Sequence, residues 1–215
     1  MLKNFQRPLS AEEKRILANA ATTLQEQLKR LAKPIFITCM VIIGILWGLT
    51  MLASDVSGKI ISLFWLAVGV GISTWVLLSE RRKYQKRIRS MNDAQERNVA
   101  EVVHIQSVKM VEFDEINDEG ACYAFQIGDD KIVFVVGQEF YRSSKFPNTD
   151  FELVHIYDRA RNLVEMLVFN HGVRLKPARK ISAEQKVKLN LPDHLDTYTG
   201  NLEKLENLLG SIKTE

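Results

Sequence analysis

Residues 35–54 read IFITCMVIIGILWGLTMLAS and residues 60–79 read IISLFWLAVGVGISTWVLLS, and neither stretch contains a charged residue. At a rise of 1.5 Å per residue, about 20 helical residues span the ~30 Å hydrocarbon core of a bilayer. A helix at the edge of a globular core normally shows a polar stripe, and these runs show none. The pair therefore reads as two transmembrane helices. The link Asp55-Val56-Ser57-Gly58-Lys59 is long enough only for a tight turn, so the spans are expected as antiparallel neighbours.

Charge sets the orientation. Lys29, Arg30 and Lys33 precede the first span; Arg81, Arg82, Lys83, Lys86, Arg87 and Arg89 follow the second; the turn holds Lys59 alone. Cations collect on the cytoplasmic side, so both termini are expected there, in a bacterial-type inner or plasma membrane. The cluster Arg81–Arg89 also reads as a contact for anionic lipid, although topology alone already accounts for basic residues at that place. Residues 1–100 carry 15 Lys+Arg and 7 Asp+Glu, a net of +8, and residues 101–215 carry 14 and 19, a net of −5. A membrane-facing half and a mildly acidic soluble half follow. The acidic half lacks a basic stripe interleaved with aromatics, which disfavours nucleic acid as a partner.

Cys39 lies in an apolar run and Cys122 in an expected strand, so no disulfide framework is implied. About thirty mostly polar residues precede the first apolar run, unlike a cleaved signal peptide. No ionisable residue sits within either span, which argues against an ion path or proton relay. Gly44 and Gly48 in the first span, and Ala67 and Gly71 in the second, are small residues four apart; Gly69 and Ser73 share that spacing. Such pairs let helix backbones approach, so the first four are expected to pack the hairpin, with a contact between molecules as a second use.

Two cytoplasmic helices are expected to flank the hairpin. Ser10 and Glu13 have capping-box spacing, and Leu17, Ala21, Leu24, Leu28 and Leu31 then recur at helical steps. Pro34 falls in a first helical turn. Beyond the second span, Tyr84, Ile88 and Met91 form a similar seam. The two segments are expected to pair as a short antiparallel stalk with Leu31 near Tyr84; the alternative is that each lies on the bilayer or on the C-terminal domain.

After residue 100 the period changes to alternation. Strands are expected at 102–112, 121–127, 131–136, 151–157, 163–169, 173–176 and 187–191, separated by turn-forming residues and paired antiparallel. The third of these is apolar at nearly every position, as in a central strand covered on both faces. Leu202, Leu205, Leu208, Leu209 and Ile212 fall on one face of a C-terminal helix that must cover apolar sheet. About seven strands followed by one helix resembles, in element order, the pleckstrin-homology-like barrels, and the resemblance implies a barrel or roll closed by that helix. The expected fold class is thus an α+β membrane protein. Its parts are an amphipathic helix in 1–33, the hairpin in 34–79, a basic helix in 80–100 and a β-rich domain in 101–215.

No phosphate loop, dinucleotide glycine fingerprint, zinc spacing or nucleophile elbow is present, so no catalytic residue, metal or cofactor is expected. His155 shares a strand face with Phe151, Leu153 and Tyr157 and reads as a core histidine, as does His104. His171 and His194 read as solvated. Asp114, Glu115, Asp118 and Glu119 could offer oxygens to a hard cation, but read more simply as a solvated acidic turn. Tyr141, Arg142, Ser143, Ser144 and Lys145 form a mixed basic loop suited to a phosphate or carboxylate. These features point to a membrane-tethered interaction or regulatory module whose partners are the lipid bilayer and a protein or second copy. A sensor for a ligand or lipid head group comes second and an enzyme third.

Overall fold

A computed structural model describes residues 1–53 and 58–210. The protein is α+β, with long helices followed by antiparallel and mixed sheets. It divides into two compact units: Pro8–Val99 with Ile156–Glu165, and Met1–Arg7 with Ala100–His155 and the chain from Met166 onward.

The first of these units holds helices α1 (Ala11–Arg30), α2 (Ala32–Ala53) and α3 (Gly58–Arg97). The expected capping box is present: Glu13 N–H donates to Ser10 Oγ at 3.2 Å and Ser10 N–H to Glu13 Oε2 at 2.7 Å. Pro34 sits in the first turn of α2, where its missing N–H removes no helical bond. Both α2 and α3 are long and apolar enough to cross a membrane. Residues 55–57 of the expected turn lie outside the described residues. The second apolar run does not end its helix, because α3 continues for 40 residues, about 60 Å.

Helix α1 lies antiparallel against α3. Gln95 Nε2 donates to Lys14 O at 3.3 Å, and at the other end Leu28 and Leu31 share a hollow with Thr74, Leu77, Leu78 and Arg81. This register differs from the expected one. Leu31 lies at the level of the Thr74–Arg81 segment rather than Tyr84. One heptad along each helix from Leu28 and Arg81 stand Ala21 and Ile88, both buried. The best-buried seam is Leu17 and Ala21 with Ile88, Met91 and Ala94, which begins inside the Arg81–Arg89 cluster and runs beyond it. The strand-turn-strand tip Ile156–Glu165 completes the unit. Ser90 Oγ donates to Asp158 Oδ2 at 2.7 Å, Arg97 to Asp158 O at 3.2 Å, and Arg159 pairs with Glu96 at 2.7 Å.

The strands are β1 (Leu2–Arg7), β2 (Ala100–Gln106), β3 (Met110–Phe113), β4 (Ala121–Gln126), β5 (Lys131–Gly137), β6 (Asp150–Tyr157), β7 (Leu163–Asn170), β8 (Arg179–Ile181) and β9 (Thr197–Thr199). They make two open sheets, ordered β1-β2-β6-β7 and β8-β3-β4-β5-β9, rather than a closed barrel. The reason lies at Ser107. The expected single strand 102–112 breaks there: the Ser107 hydroxyl turns onto Lys109 O at 2.7 Å, and the chain passes from one sheet to the other. Alternation then gives the five-stranded sheet two apolar faces. Tyr123, Phe125, Val133 and Val135 join Ile105, Phe151 and Leu153 of the other sheet in one core. Cys122, Ala124, Ile132 and Phe134 face a second core closed by Leu202, Leu205 and Leu209. Strand β5 is therefore central and covered on both faces, as its composition predicts.

The covering helix is short, a 3-10 turn at Leu202–Lys204 followed by α5 (Leu205–Leu209); Ile212 lies outside the described residues. Residues 173–176 form only the bridge Asn148↔Arg174. Residues 187–191 are not a strand, because the capping box of Ser182 and Gln185 starts helix α4 (Ala183–Lys186) just before them.

Candidate functional site

Two sets of residues singled out by the sequence lie in the helical unit. Of the small residues, Gly44, Ala67 and Gly71 are exposed and Gly48 is half-buried, and a Cβ placed on any of the three glycines would meet open space. The close approach is made instead by Gly69, whose Cβ would fall 2.9 Å from Ile43 Cδ1. Among the described residues of the two apolar runs, Gly69, Ser73, Ile43 and Ile61 are the buried ones. The spacing of four was therefore present at the packed face, but in the Gly69–Ser73 pair. Helical periodicity alone does not say which of two small-residue faces meets the partner.

Aromatic side chains fasten the same pair of helices. Trp47 Nε1 donates to Ser62 Oγ at 3.1 Å, and Trp65 Nε1 donates to Thr50 Oγ1 at 2.8 Å. Each hydroxyl passes its own proton to backbone of its own helix, Ser62 to Gly58 O and Thr50 to Leu46 O and Trp47 O. Trp65 is thus half-buried against α2, whereas Trp75 is exposed. Gly69→Leu is expected to weaken α2–α3 packing by about 1–3 kcal/mol, the usual cost of overfilling a packed contact. Gly48→Leu and Gly71→Leu should leave it intact. Disulfide trapping between cysteines at Trp47 and Ser62 reads the difference, and equal trapping in all three variants would place the contact elsewhere.

The six cations Arg81, Arg82, Lys83, Lys86, Arg87 and Arg89 are all exposed, as are Lys29, Arg30 and Lys33. Tyr84, Ile88, Met91 and Gln95 share one face of α3 and most of the cations take the rest of the circumference, whereas Arg81 borders the hollow with Leu28 and Leu31. Lys83 pairs with Glu80 at 2.6 Å. Burial pushes the Glu165 carboxyl up, and Arg87 opposes that shift.

The β-rich unit shows filled interiors where the sequence left room for chemistry. Burial pushes the Cys122 thiol up to about 12, so it is not a nucleophile at neutral pH. Burial likewise holds the Tyr123 phenol near 12. His155 is buried, as expected for a core histidine. His194 is not solvated: its ring stacks on Phe140 with centroids 5.0 Å apart, and Val136 N–H donates to its Nδ1 at 3.2 Å. Desolvation holds both imidazoles below the usual range. His104 is half-buried and bonds Asp150 at 2.6 Å. His171 is exposed.

Asp114, Glu115, Asp118 and Glu119 are all exposed, as a solvated acidic turn requires, and hydrogen bonds tie that turn down. Tyr141 OH donates to Glu115 at 2.6 Å, Gly120 N–H donates to the same carboxylate, and Glu119 pairs with the buried Lys186. The Tyr141 bond, then that of Gly120, holds the Glu115 carboxyl below its usual range. Among the described residues, no three of His, Cys, Asp and Glu stand close enough to hold a metal ion. Arg142, from the basic loop, bonds Glu112 at 2.5 Å. Compared with protein-family models, curated proteins and solved structures, the chain matches none.

Proposed function

We propose that this chain is a membrane-tethered interaction module. In this reading α2 and the first half of α3 form a transmembrane hairpin with both termini cytoplasmic, and the β-rich unit meets a protein partner or a second copy on that side. The supporting observation is the outward face of the two apolar helices. Leu52, Leu63 and Trp75 are 88%, 70% and 71% exposed, and Ile37, Val41, Ile45, Ile60 and Leu66 also point outward. Buried core helices would hide these side chains, and a water-soluble surface rarely carries apolar patches beyond a few hundred Å². Lipid satisfies both. The exposed cations on α1, α2 and α3 suit the anionic cytoplasmic leaflet, at about 1 kcal/mol for each one near it. A role in interaction is favoured over a reaction because the sheet interiors are filled and the ionisable groups inside them are paired or neutral.

Topology is tested in a Cys39→Ser, Cys122→Ala background. Lys59→Cys should react with an impermeant maleimide in intact cells, and Ser144→Cys only after permeabilisation. The reverse pattern, or equal reaction at both sites, would sink the hairpin as oriented here. The interaction itself is tested by purification from native membranes in mild detergent, where a monomer with no stoichiometric companion would count against it.

A further inference from the structure

We infer that the β-rich unit carries an anion site for a phosphate monoester, built by Arg142, Arg174, Lys176 and Lys180 around one surface cleft. The inference does not rest on the membrane reading, because all four residues belong to one unit. Together with Leu175 and Pro177 they line a cavity of about 420 Å³.

The sequence segment responsible is RLKPARK at 174–180. It is held against the sheets by its backbone: Thr149 N–H donates to Val173 O, Leu175 N–H to Pro147 O and Ala178 N–H to Met110 O, each at 2.9 Å. Strand β8 then pairs in parallel with β3, Val111 against Arg179 and Glu112 against Lys180. Alternation parts the two neighbouring cations. Arg179 is taken up on its own side by Glu206, through two bonds of 2.6 and 2.8 Å. Lys180 lies 3.7 Å from Glu112 on the cleft side, where Arg142 also arrives.

The charge balance then favours an anion. Of the four cations that line the cleft, Arg142 and Lys180 share the one carboxylate of Glu112, and among the described residues neither Arg174 nor Lys176 has an acidic partner. This local excess of three positive charges sits in a stretch of chain whose net charge is −5, so it does not follow from general basicity. Guanidinium forks match phosphate oxygens two at a time, and lysines add point charge. A phosphate monoester carries nearly two negative charges and three acceptor oxygens, whereas a carboxylate offers one charge and two. Leu175 and Pro177 provide apolar wall for the organic part. The monoester can belong to a soluble metabolite or to a lipid head group such as phosphatidic acid; the chemistry recognised is the same.

The test uses the full chain in detergent, titrated calorimetrically with glycerol 3-phosphate and with dihexanoyl phosphatidic acid. Saturable binding is expected, weakened about tenfold or more in Arg174→Ala/Lys176→Ala, since each substitution removes a charge-assisted contact. Lys188→Ala, an exposed cation that does not line the cleft, should bind as the parent does. Binding of both probes, or of glycerol 3-phosphate alone, assigns the site to soluble monoesters; binding of the lipid probe alone assigns it to a head group. Absence of saturable binding for both probes, or equal weakening by Lys188→Ala, overturns the proposal.

Discussion

Phe125→Ala should lower the stability of the β-rich unit by about 3–5 kcal/mol, the range for truncating a large aromatic in a packed core. Phe125 lies on β4 and is fully buried. Its ring centroid is 5.1 Å from that of Phe151 on the facing sheet, 6.0 Å from Tyr123 and 6.3 Å from Phe146. The side chain thus bridges the two sheets at the one core they share, and neighbours held by strand pairing cannot collapse far into the space it leaves. Lost contacts between these tilted rings add to the lost burial, at most about 0.5–1.5 kcal/mol for each pair. Phe5→Ala is the matched control: Phe5 is 40% exposed on β1, and its loss should cost no more than about 1 kcal/mol. Because Trp47, Trp65 and Trp75 all belong to the helical unit, tryptophan fluorescence is the wrong probe. Hydrogen exchange of the β5 amides as a function of urea reports the β-rich unit instead. Equal costs for the two variants would mean that stability does not reside between the sheets.

What the sequence disclosed and what it withheld follow from how local each signal is. The two apolar runs, the Ser10–Glu13 cap and the nearly all-apolar β5 are carried by neighbouring residues, and the structure contains each of them. Strand β1 was not legible, because LKNFQR has little alternation and its partner β2 lies almost a hundred residues away. Strands β8 and β9, three residues each, exist only through pairing with β3 and β5. The Ser182–Gln185 capping box could have been read and would have corrected the strand assigned to VKLNL. The hairpin face needed a tertiary answer: Gly44 with Gly48 and Gly69 with Ser73 have identical spacing, and only the position of Ile43 distinguishes them. The basic cleft is similarly hidden, since Arg142 and Lys180 meet only because both flank Glu112 on β3.

Glu119→Gln is expected to destabilise the β-rich unit by about 3 kcal/mol, whereas Lys186→Met at the other end of the same ion pair should cost less than about 1 kcal/mol. The asymmetry comes from burial. Lys186, at the end of α4, is 1% exposed, while the Glu119 side chain is 40% exposed. Replacing Glu119 with an amide of equal size keeps the acceptor oxygen but leaves an ammonium in a site that water does not reach. Removing one partner of a buried pair in this way costs about 3–5 kcal/mol. The lower end applies because Glu115 also interacts with Lys186 electrostatically and water wets the outer side of Glu119. Lys186→Met instead removes the buried charge, fills nearly the same volume with thioether, and leaves a carboxylate that solvent already hydrates. The double variant should therefore resemble Lys186→Met alone, with most of the Glu119→Gln penalty abolished. A double-mutant cycle on the urea midpoint of the β5 amides measures this coupling directly. If both single variants cost the same and their effects add, Glu119 does not compensate the Lys186 charge, and the acidic turn is held in place by Tyr141 and the Gly120 N–H instead.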